Sequence, residues 1–346
     1  MRRRPGAVPA ARPGPSRRSS RLLAAGLAWA LAGAGGPAAT SPAAAGPVST
    51  APASTNPAPT VEPLAVSEVA PGVFVHEAPF GLISPANRGD IANLGFIVGD
   101  EAVAVIDTGG SRAVGEALLA AVRARTDKPV RYVVNTHVHP DHLAGNVAFA
   151  GDGVRFVGHH KLARALAARA PFYAEQAERQ LAPADAAGTA FVAPDLPVTD
   201  TLRLDLGGRE LVLEAHPTAH TDADLSVLDT ATGTWFLGDL LFAGHLPTID
   251  GSLVGWLAEM QRLAGRDVAR VVPGHGPRTL PWPAALAPQH RYLERIAGDV
   301  RALIAAGRSI SEAAETAGLS ERDAWALFDE FNPRNATAAF HELEWE

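Results

Sequence analysis

The 346-residue sequence contains no cysteine. Disulfide bonds are therefore excluded, and any metal ion must be held by nitrogen and oxygen ligands, because no thiolate is available. Residues 1–21 also lack acidic side chains but carry seven arginines, so removal of residues 1–45 changes the net charge from −7 to −14. A mature protein this acidic is a poor match for nucleic acid or anionic lipid, since both require a cationic surface.

The first 45 residues have the composition of a secretory signal peptide. The basic stretch is followed by the apolar run Leu22–Ala34, which is too short to span a bilayer comfortably, and then by small residues suited to cleavage. Residues 16–22 also resemble a loose twin-arginine signal. We therefore predict a periplasmic or secreted protein without membrane attachment after cleavage; a single uncleaved membrane anchor is the alternative. Residues 46–64, rich in Ala, Pro, Ser and Thr, predict a disordered linker.

The remaining sequence divides into a mixed α/β region and a helical C-terminal region. Short β-branched or apolar runs between turn signals predict strands, and alanine-rich stretches with apolar residues at helical spacing predict helices. Strands are expected at 73–76, 94–98, 102–106, 130–135, 154–157 and 269–272, hairpins at 202–215 and 225–237, and helices at 111–125, 161–180, 255–263, 287–306, 311–317 and 321–330. We predict a main domain over residues 65–280 and a C-terminal helical extension over residues 281–346.

One part of this extension, Ile310–Ala326, superficially resembles a helix-turn-helix motif. Six acidic residues and a single arginine lie between Ser309 and Glu330, so DNA binding is not expected. We predict instead a helical hairpin that packs on the main domain.

The densest group of candidate ligands is His137, His139, Asp141 and His142, directly after the predicted strand Val130–Asn135. Neutral imidazole and carboxylate are the ligands expected for zinc and its neighbours in the first transition row. His137 and His139 project to one side, while Asp141 and His142 are carried around the following bend. The segment can therefore supply two ligands to each of two adjacent metal ions; a polar loop with chance histidines is the alternative.

Three further candidates, His220, Asp239 and His275, each lie just past a predicted strand. Strand ends are where α/β and layered β folds gather their sites. His216 competes with His220, which we favour because a strand resumes shortly after it. Ordinary loop, capping or packing roles are the alternatives for these three residues.

Taken in order, the seven residues resemble the ligand pattern of the metallo-β-lactamase superfamily. The resemblance covers about residues 66–277 and implies an α/β fold, a four-layer αββα sandwich with the metals at one edge, between the two sheets. It also implies a set of roles: His137, His139 and His220 hold the first metal ion, Asp141, His142 and His275 hold the second, and Asp239 bridges both. Asp107 matches the family's buried aspartate beneath the metal loop, where it would support the ligands; a turn residue is the alternative.

A narrower resemblance rests on three segments, residues 87–93 (Asn-Arg-Gly-Asp-Ile-Ala-Asn), 250–256 and 342–346. They are similar to the exported branch called quinoprotein relay system zinc metallohydrolases, whose members are encoded with periplasmic PQQ-dependent dehydrogenase systems. The resemblance implies such a system as a partner, beside a small-molecule substrate.

Hydrolysis is the chemistry expected of this site. Two zinc ions about 3.5–4 Å apart can share one water molecule and lower its pKa toward ~7, so that it is a hydroxide at neutral pH. We hypothesise that this bridging hydroxide attacks the carbonyl carbon of an ester, thioester or amide. Asp141 would orient this hydroxide. His245, Asp250 and Tyr173 are candidates for the substrate rim, with a purely structural role as the alternative for each.

Other functions stay open at this point. One is a β-lactamase or a glyoxalase II-like thioesterase, although the zinc β-lactamases that use a cysteine ligand are excluded. Another is a mononuclear iron dioxygenase acting on persulfides, and a third is a non-catalytic metal-binding accessory protein. Two zinc ions per chain would favour hydrolysis, one iron ion would favour the dioxygenase, and neither metal would favour a scaffold.

Overall fold

Two β-sheets form the centre of the protein in a computed structural model that describes residues 61–346. The first sheet has seven strands, in spatial order β1 Ser67–Ala70, β2 Val73–His76, β3 Leu94–Val98, β4 Val103–Ile106, β5 Val130–Val134, β6 Arg155–His159 and β7 Leu196–Val198. Strands β1 to β4 pair antiparallel, whereas β4 to β7 pair parallel. Because parallel strands end at the same edge, β4 and β5 bring the residues that follow them together.

The second sheet has five strands: β8 Thr201–Asp205, β9 Glu210–Ala215, β10 Leu225–Asp229, β11 Thr234–Phe242 and β12 Arg270–His275. Their spatial order is β12-β11-β10-β9-β8, with only β11 and β12 parallel. The predicted hairpins β8–β9 and β10–β11 are confirmed. Gly207 and Gly208 both have positive φ at the first of these turns, a conformation that favours glycine.

Apolar side chains fill the space between the two sheets. Val75, Ile106 and Val134 of the first sheet belong to one buried cluster with Leu213 and Val227 of the second. Because side chains alternate along a strand, the residues between them face outward and need cover from helices.

The helices are α1 Arg112–Arg123, α2 Pro140–Leu143, α3 Leu162–Gln180, α4 Pro183–Gly188, α5 Leu253–Ala264, α6 Leu286–Ala305, α7 Ile310–Thr316 and α8 Phe328–Leu343. Helix α1 begins after Ser111, whose hydroxyl accepts the Val114 amide, and its Leu118 packs in the core outside the first sheet. Trp256 of α5 and Tyr292 of α6 pack outside the second sheet. The order helix, sheet, sheet, helix confirms the predicted αββα sandwich with a C-terminal helical part.

The last helix differs from the prediction. The helix expected at 321–330 is wrong: residues 319–324 form a 3₁₀ helix, and α8 begins at Phe328 after the left-handed Leu327. Pro333 lies early in α8, where it removes a single backbone hydrogen bond. The buried face of α8 continues to Leu343 and keeps the helix intact. Helix α7 begins with a capping box formed by Ser309 and Glu312.

Four short elements, β1, β7, α2 and α4, lie outside the predicted set because each is too brief to show a period. The predicted signal peptide, residues 1–45, and residues 46–60 of the predicted linker lie outside the described residues. The division into residues 65–280 and 281–346 stays a prediction. Within residues 61–346, none of the helices has the length and hydrophobicity to cross a membrane.

Candidate metal centre

The structure brings all seven predicted ligands together in two adjoining groups. In each group, one candidate ligand atom per residue lies within 4.8 Å of the others. The first group is His137, His139, His220 and Asp239, and the second is Asp141, His142 and His275. His216 joins neither group: its ring bonds Glu259 at 2.6 Å and Ser226 at 2.8 Å in a separate buried network.

The local backbone explains how the groups meet. His139 is extended and precedes the short helix α2, so that the chain turns between His139 and His142. Glycine is required at two positions beside Asp239. A Cβ at Gly238, which has a positive φ, would lie 2.5 Å from the Thr136 side chain, and a Cβ at Gly274 would lie 1.9 Å from Asp239 Oδ1. Both glycines therefore let β11 and β12 close on the cluster.

In the first group, the outer ring nitrogens bind oxygen atoms of the protein. His139 Nε2 lies 3.0 Å from Asp250, and His220 Nδ1 lies 2.7 Å from the Thr248 carbonyl. His137 Nδ1 lies 3.1 Å from the hydroxyl of Thr136. A neutral imidazole has one N–H, which these oxygen acceptors take up.

The inner nitrogens of the same three rings consequently present lone pairs to one another. His139 Nδ1 lies 3.1 Å from His137 Nε2 and 3.0 Å from His220 Nε2. The carboxylate of Asp239 approaches the same point, 3.4 Å from His220 Nε2 and 3.6 Å from His137 Nε2. Converging lone pairs repel unless a cation lies between them, so the donor set fits a metal ion.

The imidazoles of the second group are arranged in the same way, with the outer nitrogen on a protein oxygen and the inner nitrogen facing the other ligands. His142 Nδ1 contacts Asp107 at 2.8 Å, and His275 Nδ1 contacts the Ile91 carbonyl at 2.8 Å. Their inner nitrogens face carboxylates: His142 Nε2 lies 3.2 Å from Asp239 Oδ1, and His275 Nε2 lies 3.4 Å from Asp141 Oδ2. His142 Nε2 and Asp239 Oδ1 are buried and have no hydrogen-bond partner among the described residues. A bound cation would satisfy both atoms.

Electrostatics favours metal binding as well. Burial alone would raise the pKa of Asp239, but the imidazoles of His142 and His275 outweigh it and hold the pKa well below its usual range. Burial lowers the pKa of His220 to about 4, which leaves this ring neutral, the form that binds metal. Burial also opposes charge on His275, yet Asp239 and Asp141 raise its pKa to about 9. The second group therefore stabilises positive charge.

Asp107 is buried and contacts both the end of β5 and the candidate ligand His142. Its carboxylate accepts the Thr136 amide at 2.8 Å, the Thr136 hydroxyl at 2.6 Å and the ring of His142 at 2.8 Å. Its φ of 56° is left-handed, a strained conformation for a residue with a side chain. The fold retains this strained backbone because the Asp107 carboxylate orients both the strand end at Thr136 and the metal-facing imidazole of His142.

Comparison with known proteins identifies the family. The sequence model of the metallo-beta-lactamase superfamily matches residues 87–275, more than half of the chain. The chain belongs to this superfamily. All seven ligands and Asp107 lie inside the match, whereas α6, α7 and α8 lie outside it.

The alkylsulfatases are among the relatives of this superfamily member. A linear primary-alkylsulfatase from Pseudomonas sp. (strain ATCC 19151) is 39% identical over 57 residues, which cover 16% of this chain and 11% of that protein. The stereoselective inverting sec-alkylsulfatase Pisa1 from Pseudomonas sp. has a similar structure, with a TM-score of 0.64 and 16% identity over 81% of this chain and 50% of that one. This chain therefore spans about half the length of the matched sulfatase structure.

A metallo-beta-lactamase from Pontibacter korlensis is similar in fold, with a TM-score of 0.55 and 23% identity over 67% of this chain and 99% of that one. At this identity the likeness concerns the fold. Superfamily membership, together with the 57-residue alkylsulfatase match, points to a metal-dependent hydrolase.

A cleft of about 570 Å³ opens on the metal-binding groups and is lined by all three predicted rim residues. Each of these three residues also contacts another residue of the protein, so lining the cleft is not its only role. Asp250 bonds His139 and Arg169, so it orients a ligand. His245 is buried, and its ring stacks on the ring of His275 at 4.9 Å. Tyr173 is buried and packs near Phe191.

The sequence makes the C-terminal helices candidates for the rim of the site, but it identifies none of the residues that α8 contributes. Phe331, Arg334 and Asn335 line the cleft, and Asn335 is buried there. Arg169, on α3, lines it too. No local pattern marks these residues, because each reaches the site through contacts between distant parts of the chain.

Proposed function

We propose that this protein is an exported dinuclear zinc hydrolase that acts on an ester, thioester or amide carbonyl. One observation carries the proposal: five imidazoles direct an inner nitrogen at Asp239 or its neighbouring ligands, while each outer nitrogen contacts a protein oxygen. A site of nitrogen and oxygen ligands without sulfur is suited to zinc, with iron as the alternative metal. Bound there, two divalent cations would supply Lewis acidity and an activated water.

The protein residues hold and orient these reactants. Asp239 contacts imidazoles of both groups and would join the two metal ions. Asp141 has one oxygen near His275 and lines the cleft, so its other oxygen can accept a hydrogen bond from the attacking water. The pKa of Asp141 lies well below its usual range, because the imidazoles of His142 and His275 outweigh burial, so the carboxylate is anionic at neutral pH.

We further propose that the protein acts outside the cytoplasm with a PQQ-dependent dehydrogenase system. The basic and apolar residues 1–45 support export, and the three segments similar to the quinoprotein relay branch support the partner. One residue of each segment also forms a hydrogen bond to a residue at the metal centre or to an element beside it. The Asn93 amide donates to the Pro273 and Gly276 carbonyls around His275, Asp250 bonds His139, and Glu342 accepts the Leu253 amide at the start of α5.

Sulfate-ester hydrolysis is a second candidate function. The alkylsulfatase relatives favour it, and so does the guanidinium of Arg334 in the cleft.

Metal analysis with a substrate panel tests the proposal. The purified protein should contain two zinc ions per chain and hydrolyse at least one of an ester, a thioester, a lactone or a β-lactam, with an alkyl sulfate tested beside them. His137→Ala and Asp239→Ala should lose metal and turnover. A single iron ion with persulfide oxidation, or full activity in either variant, would overturn it. Turnover of an alkyl sulfate alone would select the second candidate.

A further inference from the structure

The mouth of the metal-site cleft exposes large apolar side chains. Leu82 and Phe172 line the cleft and are 44% and 54% exposed. Phe80, close to Leu82 in the chain, is 43% exposed, and its ring lies 5.8 Å from the ring of His245. An apolar patch at the entrance of a polar reaction site indicates a substrate with an apolar portion.

Helix α8 brings a cation into the same cleft. The Phe331 ring lies 5.3 Å from the ring of His245, which stacks on the metal-group residue His275. Arg334 follows Phe331 by three residues, so both lie on one face of the helix. The neighbouring Asn335 bonds the backbone of the loop beside His220. Arg334 is thereby held on the wall of the cleft next to the metal site.

Two arginines line the cleft, and Arg334 is the one whose charge is not paired with a carboxylate of residues 61–346. Arg169 is already bound to Asp250. Arg334 forms no ion pair with any residue in 61–346, and it is exposed in the cleft. Glu330 lines the same cleft one turn earlier and also lacks such a pair, so its charge would oppose a bound anion. A guanidinium presents a planar fork of donors that matches an oxyanion in two-point contact.

We propose that the substrate of this hydrolase is an anionic amphiphile, whose oxyanion binds Arg334 and whose apolar chain lies against Leu82 and Phe172. The inference rests on the proposed function, because it assigns the substrate class of the same cleft. Carboxylate and sulfate share the required chemistry. The C-terminal helical part, outside the superfamily match, would then determine specificity.

Binding measured without turnover tests the inference. Isothermal titration calorimetry would use the full chain, before and after zinc loading, with octyl sulfate, octanoate and the neutral octyl glucoside, each below its critical micelle concentration. Wild-type protein should bind one octyl sulfate or octanoate per chain, more tightly than octyl glucoside. Whichever anion binds more tightly identifies the oxyanion. Arg334→Gln should weaken anion binding roughly tenfold and leave octyl glucoside unchanged.

Matched variants separate charge recognition from disturbance of the helix. Glu330→Gln, on the same exposed part of α8, should leave octyl sulfate binding unchanged or tighten it. Leu82→Ser should weaken octyl sulfate binding but leave methyl sulfate binding unchanged, because only the longer ligand reaches the apolar wall.

Equal losses in Arg334→Gln and Glu330→Gln, or octyl glucoside binding as tight as that of both anions, would overturn the inference. An Arg334→Gln effect that appears only after zinc loading would also overturn the inference, because the anion would then be binding to the metal ions rather than to Arg334 alone. A protein that binds two zinc ions and cleaves neutral esters but binds neither anion contradicts the inference alone. One that binds the anions through Arg334 but takes up no metal contradicts the proposed function alone.

Discussion

Asn335 holds the backbone on both sides of Thr248. Its amide nitrogen donates to the Pro247 carbonyl at 2.7 Å, and its oxygen accepts the Ile249 amide at 2.9 Å. The carbonyl between these two bonds, that of Thr248, lies 2.7 Å from His220 Nδ1. A residue of the last helix therefore fixes the acceptor that orients a candidate metal ligand.

Asn335→Ala should weaken zinc binding by roughly 10-fold or more, because loss of an outer contact that orients a ligand typically has this effect. The loop would no longer hold the Thr248 carbonyl against His220. Zinc affinity can be measured by competition with a chromogenic chelator, and the visible spectrum of the cobalt-substituted protein should change in the same variant.

Asn332→Ala is the matched control. Asn332 lies one turn earlier on α8, is equally buried, and bonds Tyr292 and the Ala317 carbonyl rather than the loop. It should lower the melting temperature but leave zinc affinity and the cobalt spectrum unchanged. Equal metal loss in both variants would show that α8 acts only through general stability.

Asp107→Asn should reduce occupancy of the second metal position. Asparagine tolerates the left-handed backbone at residue 107, so the fold should persist. An amide cannot replace the carboxylate that accepts from both Thr136 and His142, so the tautomer of His142 is no longer fixed. Metal content after equilibration with limiting free zinc should fall from two ions toward one. Retention of two tightly bound ions would contradict the assigned role.

How far the sequence predicts this site depends on the range of the contacts. The spacing of His137 to His142 is local, so it indicates metal directly, and His220 and His275 could be added from their strand-end positions. Asp250 was expected at the rim, but it bonds His139, which is 111 residues away. The extent of α8 was missed for a related reason: its buried face depends on packing against distant elements, which outweighs the helix-breaking tendency of Pro333.

A pH effect is expected from His76. Both ring nitrogens face oxygen atoms, Ala65 O and Asp90 Oδ1, each at 2.8 Å. Burial would lower the pKa of His76, but the contact with Asp90 outweighs it and raises the pKa above its ordinary value. The stabilisation is therefore fully present below about pH 6.5, the unfolded value, and is lost as the pH rises through the higher folded value.

Asp90→Asn tests this effect by removing the charge that His76 faces. The difference in melting temperature between wild type and variant should be large at pH 6 and shrink toward pH 9. Nuclear magnetic resonance titration should also show a lower His76 pKa in the variant. A pH-independent difference, with an unchanged His76 pKa, would mean that Asp90 acts only as a hydrogen-bond acceptor.

His216 and His220 provide a direct comparison of a structural and a metal-binding imidazole. His220→Ala removes an inner nitrogen of the first group and should lower zinc content and abolish turnover. His216→Ala leaves Glu259 and Ser226 without their buried partner and should destabilise the fold by ~1–3 kcal/mol. Zinc content and melting temperature, measured on both variants, separate the two roles. If His216→Ala lost zinc at an unchanged melting temperature while His220→Ala kept it, the assignment of the first group would be wrong.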